Sequence, residues 1–103
     1  MTAEDLHRSA LADAAPPEGL GLPLRALWWA AKGEWTRAHE VAQEGEDADS
    51  AWAHAWLHRQ EGDLSNADYW YRRAGRTRSP ASLEAEWHAI AGALLAQGTQ
   101  ARG

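Results

Sequence analysis

The apolar residues of this chain recur at helical spacing, and Gly or Pro cuts each run short before the next begins. That pattern restricts the fold to a series of short amphipathic helices joined by tight turns. Thr2 with Asp5 has the form of a capping box, opening a helix with Leu6, Ala10 and Ala14 on one face. Pro16-Pro17, Gly19 and Gly21 break it. Pro23 suits the first turn of a second helix, whose stripe is Leu24, Leu27, Trp28 and Ala31 and whose end is Gly33. A third turns Trp35, Ala38 and Ala42 inward and stops at the acidic run Glu44 to Asp49. Asp49 or Ser50 can cap a fourth, running through Gln60 with Trp52, Ala55 and Trp56. Beyond Gly62-Asp63, a fifth aligns Leu64, Ala67, Tyr71 and Ala74. Ser79-Pro80 then opens a last helix with the stripe Leu83, Trp87, Ile90 and Leu94, ended by Gly98. No segment alternates with period two over a useful length, so the expectation is an all-α domain of about six helices.

Composition agrees. Ala, the best helix former, occurs 23 times in 103 residues. Seven Trp and no Phe make the aromatic content almost entirely indole, which packs a large area but brings an N–H that needs a partner. Small Ala against large Trp is a workable way to fill a helical core, and seven Trp could also line a pocket. Such a core argues against disorder. There is no apolar run long enough for a membrane span. The N-terminus carries acids where a signal peptide needs basic residues and then an apolar stretch, so a cytoplasmic location is expected. The absence of Cys excludes disulfides, thiolate zinc sites and Cys nucleophiles.

The helices pair. Shifting residues 24–42 by 29 places Gly33-Glu34-Trp35 and Ala38 over Gly62-Asp63-Leu64 and Ala67. Gly permits the turn, the acid suits the next helix N-terminus, and Ala lets the partner helix approach. The segment EGDLSNADYWYRRAG (Glu61 to Gly75), preceded by WAHAWLHRQ, resembles a tetratricopeptide-repeat hairpin through Gly62, Asp63, Leu64, Ala67, Tyr71, Ala74 and the nearby Pro80. Ala26, Trp29, Gly33, Trp35 and Ala38 fit the same pattern less fully. The wording is also similar to a group of small bacterial proteins of uncharacterised role. The offset of 29 is shorter than the family's period, and two units are fewer than usually bury a continuous core. The terminal helices acting as caps, or self-association, would cover the open faces. The expected organisation is one domain, 1–103, with an N-terminal helix and linker (1–22), hairpins at 23–44 and 49–76, and a C-terminal helix (80–98). For function the resemblance implies a protein-interaction module.

Two constellations carry possible chemistry. His54 and His58, four apart on one helix, could share a metal ion, with Glu61 one turn further on as an oxygen ligand. The competing reading is packing or capping beside Trp52 and Trp56. Arg72, Arg73, Arg76 and Arg78 form a local cationic patch on a chain of net charge −5. Residues 1–52 carry net −6 and residues 53–103 net +1, which favours an acidic partner or a contact between copies. The alternative is that these arginines are solvated near a helix C-terminus. Nucleic acid fits poorly, since the net charge opposes phosphate and four Arg give a small footprint.

Ser50, Ser65 and Ser79 fall at expected caps rather than beside a base. Gly19-Leu20-Gly21 lacks the residues of a phosphate loop, and nothing places a substrate between Glu61 and His58. The expected function is therefore non-enzymatic: a protein- or peptide-binding module, a homodimer without cofactor, contacting its partner through Trp52, His58, Tyr69, Arg72, Arg73 and Arg76. The alternative is a small-molecule or metal-binding protein, with or without enzyme activity, using His54, His58 and Glu61 in a Trp-lined pocket.

Overall fold

In the computed structural model, which describes residues 1–102 and side chains through residue 97, the chain forms six α-helices: α1 (Ala3–Ala12), α2 (Leu22–Ala31), α3 (Trp35–Glu44), α4 (Ala48–Glu61), α5 (Leu64–Arg73) and α6 (Leu83–Arg102). Among the described residues there is no strand, and no helix is long and apolar enough to cross a membrane.

The two hairpins, α2–α3 and α4–α5, close in the same way. Gly33 and Gly62 adopt φ of 90° and 88°, a left-handed conformation that side chains with a Cβ resist. The next residue's N–H then reaches back over the helix end, from Glu34 to the Trp29 carbonyl at 2.9 Å and from Asp63 to the His58 carbonyl at 3.0 Å. These turns lie at corresponding places of the 29-residue offset.

Packing puts α4 in the middle, against α2, α3, α5 and α6. Residues 50–58 are consequently buried on every side of that helix. Ala51, Ala53 and Ala55 keep the neighbouring backbones close, while Trp52, Trp56 and Leu57 fill the spaces between them. The terminal helices do not cap opposite ends. α1 packs on α2 and α6, and α6 packs on α2 and α4, so the two meet on one side of the hairpins. His7 sits edge-on to Trp87 across that junction, with ring centroids 5.4 Å apart. The stripe Trp87, Ile90 and Leu94 of α6 covers the surface that α2 and α4 would otherwise expose.

Four of the seven indole N–H groups meet carbonyls or a hydroxyl on other segments. Trp28 donates to Ser9 Oγ, Trp35 to the Leu57 carbonyl, Trp56 to the Leu83 carbonyl and Trp87 to the Leu27 carbonyl, at 2.9–3.0 Å. One acid is buried. Glu86 of α6 pairs with Arg59 of α4 at 2.6 Å and accepts from the Tyr71 hydroxyl of α5 at 2.6 and 2.9 Å. Arg59 also donates to the Ala81 carbonyl. This node ties α5 to α6, which share little other surface.

Several local expectations need correction. Ala14 lies beyond the end of α1. Asp47, not Asp49 or Ser50, caps α4: its carboxylate accepts the Ser50 N–H, and the Ser50 hydroxyl donates to it at 2.6 Å. Leu64 stays exposed because α5 begins there, outside the contact with α4. Ser79-Pro80 precedes α6 without opening it. Ser82 does so, its hydroxyl accepting from the Ala85 N–H and its carbonyl from the Glu86 N–H. α6 continues through Gly98 instead of stopping there.

Tyr71→Phe removes a donor from a buried carboxylate and should lower stability by about 1–3 kcal/mol, measured by chemical denaturation; no change would show that the node is dispensable. Asp47→Ala should cost about 1 kcal/mol at neutral pH. The Ser50 hydroxyl holds the folded Asp47 carboxyl below its ordinary value, so the unfolded chain takes up that proton first. The gap between wild type and variant should therefore be full at neutral pH and narrow as pH falls below the ordinary carboxylate range. A gap constant down to strongly acidic pH would contradict this.

Candidate metal centre

The buried surface of α4 carries two imidazoles one turn apart, His54 and His58, only 2% and 6% exposed. A third, His39, comes from α3, which packs alongside. Ala38 is buried in the core, and its neighbour His39 is half-exposed, its ring edge-on to His54 of α4 at 4.6 Å. The Nε2 atom of His54 lies 3.0 Å from Nε2 of His39 and 3.0 Å from Nε2 of His58. Ligating nitrogens of all three rings fall within 4.8 Å of one another.

Aromatic planes hold the rings in place. Trp35, one turn before His39, stacks on it with centroids 4.9 Å apart and planes 11° from parallel. Trp70 of α5 stacks on His54 at 3.9 Å and 13°. On the far side of His58, Nδ1 meets Oε2 of Glu61 at 2.7 Å. An ionised carboxylate only accepts, so this contact puts the proton on Nδ1 and leaves Nε2 as the lone-pair nitrogen of the neutral ring. Burial, then the neighbouring His39 and His58, pushes the His54 pKa down to about 3. Burial and His58 lower that of His39 as well. Both effects favour uncharged imidazoles, the form that binds metal.

Hydrogen bonding alone serves this arrangement badly. His54 Nε2 carries either one proton or one in-plane lone pair, yet two other ring nitrogens approach it equally closely. A cation satisfies all three at once. A tetrahedral ion with metal–nitrogen bonds of about 2.0–2.1 Å spaces its donors about 3.3 Å apart, a few tenths of an ångström from the two 3.0 Å separations at His54 Nε2. Glu61 behind His58 is the usual carboxylate partner that fixes a ligating imidazole in its tautomer.

Of the anticipated set, the structure brings His54 and His58 together through their Nε2 atoms and adds His39 to them. Glu61 meets His58 at Nδ1, the nitrogen turned away from the other two rings. His39 was missed. The available signal was its place four residues after Trp35 and next to the core residue Ala38.

The anticipated partner-contact residues separate into three places. His58 lies in the cluster. Tyr69 and Arg73 are exposed on α5, with the Arg73 guanidinium donating to the Tyr69 hydroxyl at 3.1 Å and lying over the Trp70 ring. Arg72 and Arg76 line an open groove of about 640 Å³ beside the loop before α6. Trp52, 8% exposed, lies beneath Arg76, whose guanidinium carbon is 3.4 Å above its ring centroid. Comparison with known proteins returns no family model, curated protein or solved structure that matches this chain.

Proposed function

We propose that this protein binds a divalent transition-metal ion through His39, His54 and His58. The observation that carries the reading is the convergence of two ring nitrogens, from His39 and His58, on Nε2 of His54 at 3.0 Å each, beyond what one shared proton can satisfy. An all-imidazole donor set suits Zn²⁺, Cu²⁺, Ni²⁺ or Co²⁺ and not the oxygen-seeking Mg²⁺ or Ca²⁺. Because His39 belongs to the first hairpin and the other two to the second, the ion clamps the hairpins together. Zn²⁺ at a hundredfold excess over its dissociation constant should stabilise the fold by about 2.7 kcal/mol, read as a rise of several degrees in Tm that chelator reverses. His39→Ala, at the rim of the core, should abolish the rise while leaving a folded protein. His88→Ala on α6 should retain it. No wild-type response to Zn²⁺, Ni²⁺ or Co²⁺ would reject the site.

The groove beside α5 supports a second reading, an interaction module of the tetratricopeptide-like kind that takes an acidic peptide. Of the arginines lining it, Arg78 is the one in an ion pair among the described residues, with Asp68 at 2.8 Å. Arg72 and the Trp52-stacked Arg76 remain oriented for carboxylates. The face that α2 and α4 would offer a peptide in such a repeat is covered by α6, which moves docking to this edge. Binding of an oligo-Glu peptide should weaken as salt rises and be lost in Arg72→Ala/Arg76→Ala, which stays folded at a slightly lower Tm because Trp52 loses its Arg76 cover. Equal binding by the double variant would remove the groove from consideration.

A further inference from the structure

We infer that the three-His centre keeps one coordination position open, and that this position takes water or a small monodentate anion. The inference rests on the metal-binding reading above and specifies its coordination. Three imidazoles supply three corners of a tetrahedron, and among the described residues no fourth His, Asp or Glu joins their cluster. The surrounding groups are committed elsewhere. Trp35 presents a ring face to His39 and sends its N–H to the Leu57 carbonyl at 3.0 Å. Trp70 presents a ring face to His54. Glu61, the nearest acid in the arrangement, is held on Nδ1 of His58 at 2.7 Å, on the side away from the other two rings.

Access and charge point the same way. His54 and His58 are buried, but His39 is half-exposed, so the centre lies at the edge of the α3–α4 junction and not sealed within it. Three neutral imidazoles leave the charge of a divalent ion intact. None of the three donors is a carboxylate, so a positive centre remains for an anion to meet. Closed four-ligand sites are structural, whereas three-ligand sites retain an exchangeable position.

Co²⁺ provides the test, since its visible spectrum reports coordination number directly. The full chain loaded with one equivalent of Co²⁺ should show a tetrahedral-type absorption band, and sodium azide should shift that band saturably. Glu61→Gln removes the carboxylate that orients His58 and should weaken Co²⁺ binding by about 10–100-fold. Once saturated with Co²⁺ it should still show an azide-shifted band, because Glu61 does not bind the ion. A Co²⁺ band indifferent to azide in both proteins would overturn the open position; if the chain also dimerised on loading, a second copy would be supplying the fourth ligand. An azide response confined to Glu61→Gln would overturn it too, placing the Glu61 carboxylate on the ion. No Co²⁺ band in the wild-type protein would instead reject the metal reading itself.

Discussion

The structure depends on one helix having no free side. α4 is surrounded by α2, α3, α5 and α6, so its whole middle must be accommodated in the interior. Apolar side chains manage this readily, and the alternation of Ala with Trp and Leu fills the space. Two imidazoles among them are a different matter. A buried polar ring requires a partner for each nitrogen, and the interior of a helical protein offers few unspent backbone groups. His58 obtains one partner from Glu61 at the end of its own helix. The Nε2 atoms of His54 and His58 turn to each other, and that of His54 also to His39, and that convergence makes the centre.

Position within the hairpin pair gives the centre its mechanical meaning. The identical glycine turns after α2 and α4 fix each hairpin from within, through bonds between residues close in sequence. What joins the two hairpins is less local: the contacts of α2 and α3 with α4, the Trp35 N–H to Leu57, and the imidazole cluster. A ligand bridging His39 to His54 and His58 therefore acts where sequence-local interactions contribute least. Trp35 and Trp70 serve both purposes, since each extends the core while restricting one imidazole to a single plane.

A second polar node stands apart from the first. Glu86, Arg59 and Tyr71 connect α6 to the second hairpin, and every oxygen of the buried carboxylate is engaged. Burying such a group is tolerable because a charged partner and a hydroxyl replace its water. The node helps hold α6 over α2 and α4, which is why the concave face expected of a helical repeat is not open. The arginines Arg72 and Arg76 face solvent at the edge of this assembly, separated in role from Arg59 by their exposure alone.

Periodicity and punctuation, both local properties, determined the six helices, the capping box at Thr2 and the two Gly-acid turns, because they depend on residues a few positions apart. The same pattern indicated that His54 and His58 share a face. Where local signals competed, the outcome depended on more: Asp47 took the α4 cap because its carboxylate reaches both the N–H and the hydroxyl of Ser50, and α6 ran past Gly98. The sequence alone could not bring His39 to the other two histidines, since fifteen residues and a turn separate it from His54. Nor could it show that Glu61 faces away from the cluster, or that α1 and α6 lie on the same side. Those facts follow from how the helices pack around α4, and packing is settled by the fit of whole surfaces and not by any one stretch of chain.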